Sequence, residues 1–459
     1  MKRIFFISIC LGIAFSLCDA YAQNPQNAVR QPGNVSGIFI VGNVNSSRKT
    51  PFINSVIRNH ARFTNTFVTC SDEYRNQDFR RFSYRSYYVI SHNDGNLYRR
   101  EWDGEKYVDE TLILKDVKEI NAINLSNYSN AKTSFFALKN DGSLWGWGDN
   151  SAGQLGDNTG INKMTPVKIL DNVREFILVR GGSVFAVKND GTAYAWGKNQ
   201  KDYGLGLGDS EDRFAPAKLP VNNVLYAGDL SYYKSHVTGN SMGLISVSGD
   251  EYRFGLWYND GNKRYGAVPE LVGKFDYSVN VSDYNQASKT FTNYKLLRNG
   301  ALYRENDLFA SNITFITYSY LINIGYGISG SSGPASNTGS YIANNGDLYV
   351  WGDAPVGDGT NIPRKNPVHV LKYVIQSDPV HRYALTAAGK LYSVDKKNPF
   401  KYSLVASDAY LLVYDNITGS MNTHLFGFFS NDGRFYTLNY DKDTISVFLK
   451  DVALPVMKK

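Results

Sequence analysis

The feature that most restricts this chain is a short hairpin signature that returns along most of its length. It first reads His92-Asn93-Asp94-Gly95-Asn96-Leu97-Tyr98, then Lys139-Asn140-Asp141-Gly142-Ser143-Leu144-Trp145-Gly146-Trp147-Gly148, then Lys188-Asn189-Asp190-Gly191-Thr192-Ala193-Tyr194-Ala195-Trp196-Gly197. Later copies are Arg298-Asn299-Gly300-Ala301-Leu302-Tyr303, Asn344-Asn345-Gly346-Asp347-Leu348-Tyr349-Val350-Trp351-Gly352, Ala388-Gly389-Lys390-Leu391-Tyr392 and Asn431-Asp432-Gly433-Arg434-Phe435-Tyr436. A degenerate copy, Ser248-Gly249-Asp250-Glu251-Tyr252-Arg253-Phe254-Gly255, fills the gap. Such a turn needs positive φ, which Asn and Gly tolerate, and alternating apolar residues on both sides supply two strands. One hairpin of this size is not stable alone. Copies spaced by roughly 43 to 58 residues match propeller blades of four strands, each burying its faces only against its neighbours.

The other two strands of each blade can also be placed. After each hairpin comes a loop and a Pro-containing apolar segment, as in Thr165-Pro166-Val167-Lys168-Ile169-Leu170, Ala215-Pro216-Ala217-Lys218-Leu219, Val268-Pro269-Glu270-Leu271-Val272 and Asn366-Pro367-Val368-His369-Val370-Leu371. Proline is tolerated at sheet edges, so this is the outer strand. The next segment, as in Val173-Arg174-Glu175-Phe176-Ile177-Leu178-Val179, leads back toward the centre. A composition with 14% aromatic residues, 41 Gly and only 20% charged residues suits short strands and tight turns.

The best-formed copies resemble the regulator of chromosome condensation repeats, whose units run from an Asn-Asp-Gly hairpin through Trp-Gly and a Gly-Gln-Leu-Gly-Asp loop to a Pro-Val strand. Residues 137 to 170 carry Gly146-Trp147-Gly148, Asn150 and Gly153-Gln154-Leu155-Gly156-Asp157, and residues 186 to 219 carry Trp196-Gly197 and Gly204-Leu205-Gly206-Leu207-Gly208-Asp209. Residues 343 to 371 keep Trp351-Gly352-Asp353 and Gly357-Asp358-Gly359, while the copies near 95, 249, 300, 389 and 433 keep only the hairpin. The resemblance implies an all-β propeller of four-stranded antiparallel blades. That family is typically seven-bladed, so seven blades are expected although eight signatures make eight possible.

The N-terminus reads as a signal peptide, with Lys2 and Arg3 before the apolar run Ile4 to Leu17 and an Ala20-Tyr21-Ala22 cleavage site. The expected organisation is therefore a leader at 1–22, a linker at 23–35 and a single propeller domain over 36–459. The apolar run is too short to span a bilayer comfortably, so no membrane insertion is expected after cleavage. Cys10 and Cys18 leave with the leader, and their bulky predecessors Ile9 and Leu17 argue against lipidation. Cys70 remains alone and reads as a buried small hydrophobe without a disulfide partner. The formal charge of +7 falls by one once Lys2, Arg3 and Asp19 are removed, a mild balance that solubility explains.

No catalytic, metal or cofactor signature rises above the repeat. Gly204-Leu205-Gly206-Leu207-Gly208 opens no helix and reads as turn glycine rather than a phosphate cradle. Asp149-Asn150-Ser151 and Asp157-Asn158 lack the terminal Glu of a calcium loop. His60, His92, His236, His369, His381 and His424 are scattered singly. The stretch from Arg75 to Arg100, with Arg80, Arg81, Arg85 and Arg99 among aromatic residues, reads as a strand with one wet face rather than a nucleic-acid patch. Candidate contact residues are aromatic side chains assigned to inter-strand loops: Trp102, Tyr107, Tyr203, Trp257, Tyr258 and Tyr265. Such rings bury large areas at low entropy cost, although blade packing is the competing use for each.

Members of the resembled family in the nucleus act as exchange factors on a small GTPase, a role that an exported chain does not inherit. Other members are secreted bacterial propellers that inhibit enzymes with a loop-lined face. The reading is thus an exported, periplasmic or secreted monomer that binds another protein as an inhibitor, immunity-type or surface-interaction factor, with no cofactor and no nucleic acid. The alternatives are a glycan or cell-wall binder and an extracytoplasmic enzyme whose site is assembled from several blades.

Overall fold

A computed structural model describes the strand Phe39–Ile40 and most of residues 64–456. The stretches 1–38, 41–63, 70–85, 103–105, 125–132, 200–203, 230–240, 260–261, 275–278, 286–289, 298–299, 320–337, 353–355, 379–382, 395–400, 416–423, 440–443 and 457–459, with a few single positions, lie outside the description. The expected leader and linker, Cys70, Arg75 to Arg85 and the candidate Tyr203 therefore fall outside it.

Every described element is a strand or a turn, and the strands form eight antiparallel four-stranded blades. Blade 1 runs Phe67–Thr69, Ser86–Ile90, Leu97–Trp102, Tyr107–Leu114, and blade 2 runs Val117–Asn124, Thr133–Lys139, Leu144–Gly148, Lys163–Leu170. Blade 3 runs Val173–Val179, Ser183–Lys188, Ala193–Gly197, Arg213–Lys218, and blade 4 runs Val224–Asp229, Ser241–Ser246, Asp250–Asn259, Asn262–Lys274. Blade 5 runs Val279–Asn285, Thr290–Leu296, Leu302–Arg304, Asp307–Ala310, and blade 6 runs Ile313–Ser319, Thr338–Ala343, Leu348–Gly352, Arg364–Leu371. Blade 7 runs Val374–Asp378, Tyr383–Thr386, Leu391–Val394, Tyr402–Ala406, and blade 8 runs Ala409–Asp415, His424–Ser430, Phe435–Asn439, Thr444–Leu449. Blade 8 also carries Phe39–Ile40 as a fifth strand beside its innermost one.

The expected count of seven is thus corrected to eight among the described residues. Each hairpin signature turns the second strand of one blade into its third, and the degenerate copy at 249 does so too. Gly249 closes that turn with its N–H on the Ser246 carbonyl at 2.9 Å, so loss of the Asn-Asp pair did not abolish the blade. The Pro-containing segments are outer strands, as expected. Pro166 and Pro216 sit where the register of their strands shifts, so their missing N–H groups fall at bulges.

The same turns also join neighbouring blades. The Gly142 carbonyl accepts the Val173 N–H that opens the next blade's inner strand (2.8 Å), and Gly191 does the same for Val224, Gly346 for Val374 and Gly389 for Ala409. Apolar packing adds to this: buried clusters join blades 1 and 2 (Ile90, Leu97, Ile120, Phe135, Trp147), 2 and 3 (Phe136, Leu144, Phe176, Trp196) and 3 and 4 (Phe185, Ala195, Tyr226, Phe254). Others join 5 and 6, 6 and 7, 7 and 8, and finally 8 and 1 through Phe67, Phe429 and Phe435, which closes the ring. Burying one such side chain stabilises by roughly 2 kcal/mol, so the seams dominate the stability of a fold whose single blades could not persist.

Candidate interaction site

The five aromatic candidates within the described residues are split between blade 1 and blade 4. Trp102 pairs with Tyr107 across the third and outer strands of blade 1, so both are strand residues and not loop residues. The Tyr107 hydroxyl donates to the Lys450 carbonyl, and the Arg100 guanidinium lies 4.7 Å above its ring. Burial pushes its phenol up to about 12. Tyr107 is therefore engaged inside the molecule. Trp257, Tyr258 and Tyr265 share one hairpin of blade 4, with Trp257 opposite Arg264, Tyr258 opposite Lys263 and Tyr265 opposite Leu256. They too are strand residues. Trp257 is buried at 6% exposure, whereas Tyr265 is 51% exposed.

The glycine-rich loops that the sequence offered as phosphate or calcium look-alikes are clasps. In blade 2 the Asn158 N–H reaches the Phe214 carbonyl of the next blade at 2.8 Å, and the Trp196 indole of that blade donates to the Gln154 carbonyl at 2.9 Å. In blade 3 the Gly208 N–H bonds the Ala267 carbonyl of blade 4 at 2.8 Å. The polar residues of the blade 2 loop bond one another. Asn150 donates to Asp157 (2.9 Å) and accepts the Leu155 N–H (2.8 Å), while Gln154 donates to Asp149 (2.8 Å). Burial opposes the Asp157 charge, but Lys163 at 2.9 Å and the Thr159 hydrogen bonds outweigh it and hold the carboxyl below its usual range. Among the described residues no group of three His, Cys, Asp or Glu side chains is placed to hold a metal.

Blade 4 breaks this pattern in two ways that sequence reading missed. Where blades 2, 3 and 6 leave their third strand for a loop, blade 4 continues as a paired ribbon from Gly255 opposite Gly266 to Asn259 opposite Asn262. Its signal was legible: Asn259-Asp260-Gly261-Asn262 is one more Asn-Asp-Gly signature, lying between the two strands of the ribbon. The second departure is chemical. Phe254 packs toward blade 3, so the alternate residues Glu251, Arg253 and Trp257 face the opposite way, toward blade 5. The equivalent positions are Leu144 and Gly146 in blade 2 and Ala193 and Ala195 in blade 3, all apolar or small.

Here Arg253 and Glu251, at 6% and 7% exposure, form a buried ion pair through the Arg Nε. The space comes from an exchange of sizes across two strands. Blade 2 sets Phe136 against Gly146, and blade 4 sets Gly243 against Arg253. The carboxylate of Glu270 and the ring of Trp257 crowd the backbone of Gly266 above it, where an added Cβ would lie 2.8 Å from the indole. Blade 4 thus offers a longer paired ribbon, with Arg264 and Tyr265 exposed, that continues from the buried Glu251–Arg253 ion pair.

Arg100 forms the other departure, at the seam between blades 8 and 1. It occupies the place of Trp147 and Trp196 in their blades, is 4% exposed, and donates to Asp451 at 2.8 Å and Glu110 at 2.5 Å. Burial lowers its pKa, but the Asp451 hydrogen bond and charge win and hold it up. The wet-face reading of this strand holds for exposed Arg99, which lies 4.0 Å from Glu101, and fails for Arg100.

With the blades and their clasps in place, residues 141–187 match the regulator of chromosome condensation (RCC1) repeat. The chain carries an RCC1 repeat within an all-β propeller. It is similar to the ultraviolet-B receptor UVR8 of Arabidopsis thaliana, 29% identical over 250 residues that cover 49% of this chain and 52% of the receptor. It thus spans about half the length of that curated relative. Among solved structures it is similar to human WBSCR16 (TM-score 0.32, 16% identity, 64% of this chain and 67% of that one). It is also similar to yeast RCC1 (Prp20) with Kap60 bound (TM-score 0.27, 16% identity, 71% of this chain and 73% of that one). Both scores are low. Within the propeller, the matched RCC1 repeat lies in blades 2 and 3, where both clasps are fully formed.

Proposed function

We propose that this RCC1-repeat propeller is an exported protein-binding scaffold, an inhibitor, immunity-type or surface-interaction factor, whose partner docks on the blade 4 ribbon. The leader in the sequence supports export, and the role is binding rather than catalysis. The observation that carries the site is the replacement of an inward clasp loop by the ribbon Gly255–Gly266, which presents Tyr265 and Arg264 to solvent. A half-exposed aromatic beside a guanidinium on a paired hairpin suits an interface anchor, because a ring with few rotatable bonds loses little side-chain freedom on contact.

The test starts from the mature chain immobilised and exposed to envelope extract, with captured proteins identified and then titrated against Arg264→Ala/Tyr265→Ala. A stoichiometric partner whose affinity falls about tenfold or more in the double variant, with thermal stability unchanged, supports the site. Recovery of a partner that binds the variant equally well moves the site elsewhere on the ring. Glycan-array binding with no protein recovered overturns the proposal in favour of a cell-wall binder.

A further inference from the structure

We infer that the inner edge of blade 8 is a strand-addition site and that its occupant is this chain's own N-terminal strand, Phe39–Ile40. In a propeller the innermost strand of each blade has one hydrogen-bonding edge turned to the central channel. On blade 8 that edge is taken: Phe39 pairs in parallel with Val413 and Ile40 with Tyr414, in the order Phe39–Ile40, Ala409–Asp415, His424–Ser430. Parallel pairing here joins residues 374 positions apart (Phe39 and Val413), so no tight turn imposes it.

The paired residues are also where blade 8 departs from its siblings. Inner strands of the other blades shift register at most once, at their first residues, as at Val117 and Glu119 or Val173 and Glu175. The inner strand of blade 8 shifts there and again between Val413 and Tyr414, because Gly427 faces Val413 while Leu425 faces Tyr414. A bulge raises local twist and re-aims the neighbouring backbone groups. The second bulge thus coincides with the two residues that receive the added strand. The sequence suits the role, since Ile38-Phe39-Ile40-Val41 is an apolar run of β-branched and aromatic residues between Gly37 and Gly42. Main-chain hydrogen bonds hold such an addition, so the edge accepts an extended apolar segment with few side-chain demands.

Amide exchange on the full mature chain tests this. The amides of Val413 to Asp415 are expected to exchange about tenfold faster in Ile40→Pro, which removes one donor and the strand geometry, while those of Val184 to Val187 in blade 3 stay unchanged. A synthetic peptide of residues 36–43 added to the variant should restore the protection. Equal exchange at Val413 to Asp415 in both proteins overturns the inference, as does failure of the peptide to restore protection. If blade 3 also accelerates, the comparison passes to Phe39→Asp, and loss spread over all blades there counts equally against it.

Discussion

At the scale of single residues, two side-chain environments make opposite demands that can be measured. Gly95 and Gly197 both hold positive φ, at 69° and 86°, but a Cβ on Gly95 meets nothing within 4 Å whereas one on Gly197 falls 2.1 Å from the Gly182 carbonyl. Gly95→Ala should therefore cost only the left-handed strain, about 1 kcal/mol. Gly197→Ala should cost about 3 kcal/mol or more, as the second strand of blade 3 is forced away. Urea unfolding of the two variants checks the order. Tyr107 gives a pH test. Its phenol is raised from 10.0 to about 12, mainly by burial, so its stabilising effect is complete below pH 10.0 and is lost as the pH rises through about 12. Tyr107→Phe should flatten that part of the stability profile, and an unchanged alkaline limb would contradict the burial of the ring. The turn aspartates act at the other end. Burial opposes the Asp94 charge, yet hydrogen bonds from Tyr98 and Asn96 hold it down to about 2, so its contribution is present above pH 3.8 and lost toward pH 2.

At the scale of the element, the Asn-Asp-Gly hairpin does two jobs with one set of atoms. Its Asp accepts the N–H two residues on, as in Asp141 with Ser143 at 2.8 Å, while its Gly carbonyl takes the first N–H of the next blade. The turn was legible because its chemistry is local. Its second bond was not, because the partner, Val173 for Gly142, lies in another blade and any residue could supply that N–H. The blade 4 ribbon yields the prediction at this scale. Arg253→Ala leaves Glu251 buried without its ion-pair partner and should cost about 3 kcal/mol, whereas Glu251→Leu/Arg253→Ala, which restores the apolar or small character of these positions in blades 2 and 3, should be near neutral or stabilising. Differential scanning calorimetry separates the two. A double variant as unstable as the single one would show that the pair is coupled to a wider network.

At the scale of the whole molecule, closure of the ring depends on the last few residues. Val452 donates to the Gly433 carbonyl at 2.8 Å and Asp451 accepts the His92 N–H at 3.4 Å, the same two bonds that Val117 and Asp116 make with Gly95 and Asn140. The tail thus stands in for the connector that a ninth blade would bring, and Arg100 fastens it through Asp451. Truncation after Leu449 should lower the melting temperature by several degrees and raise protease susceptibility first in blade 1, whereas truncation after Val456 should change neither. Cleavage that begins elsewhere would place the weakest seam away from the closure. By itself the sequence determined the blade: hairpin turns, edge prolines and apolar alternation are read from neighbours a few residues apart, and their number gave the possible count of eight. Only the tertiary structure decided how the blades meet. The burial of Arg100, the facing of Glu251 and Arg253 toward blade 5, and the placing of Phe39–Ile40 beside Val413 each join residues that are distant in the chain or distinguished only by which face of a strand they occupy. A local pattern carries no record of what lies across that face.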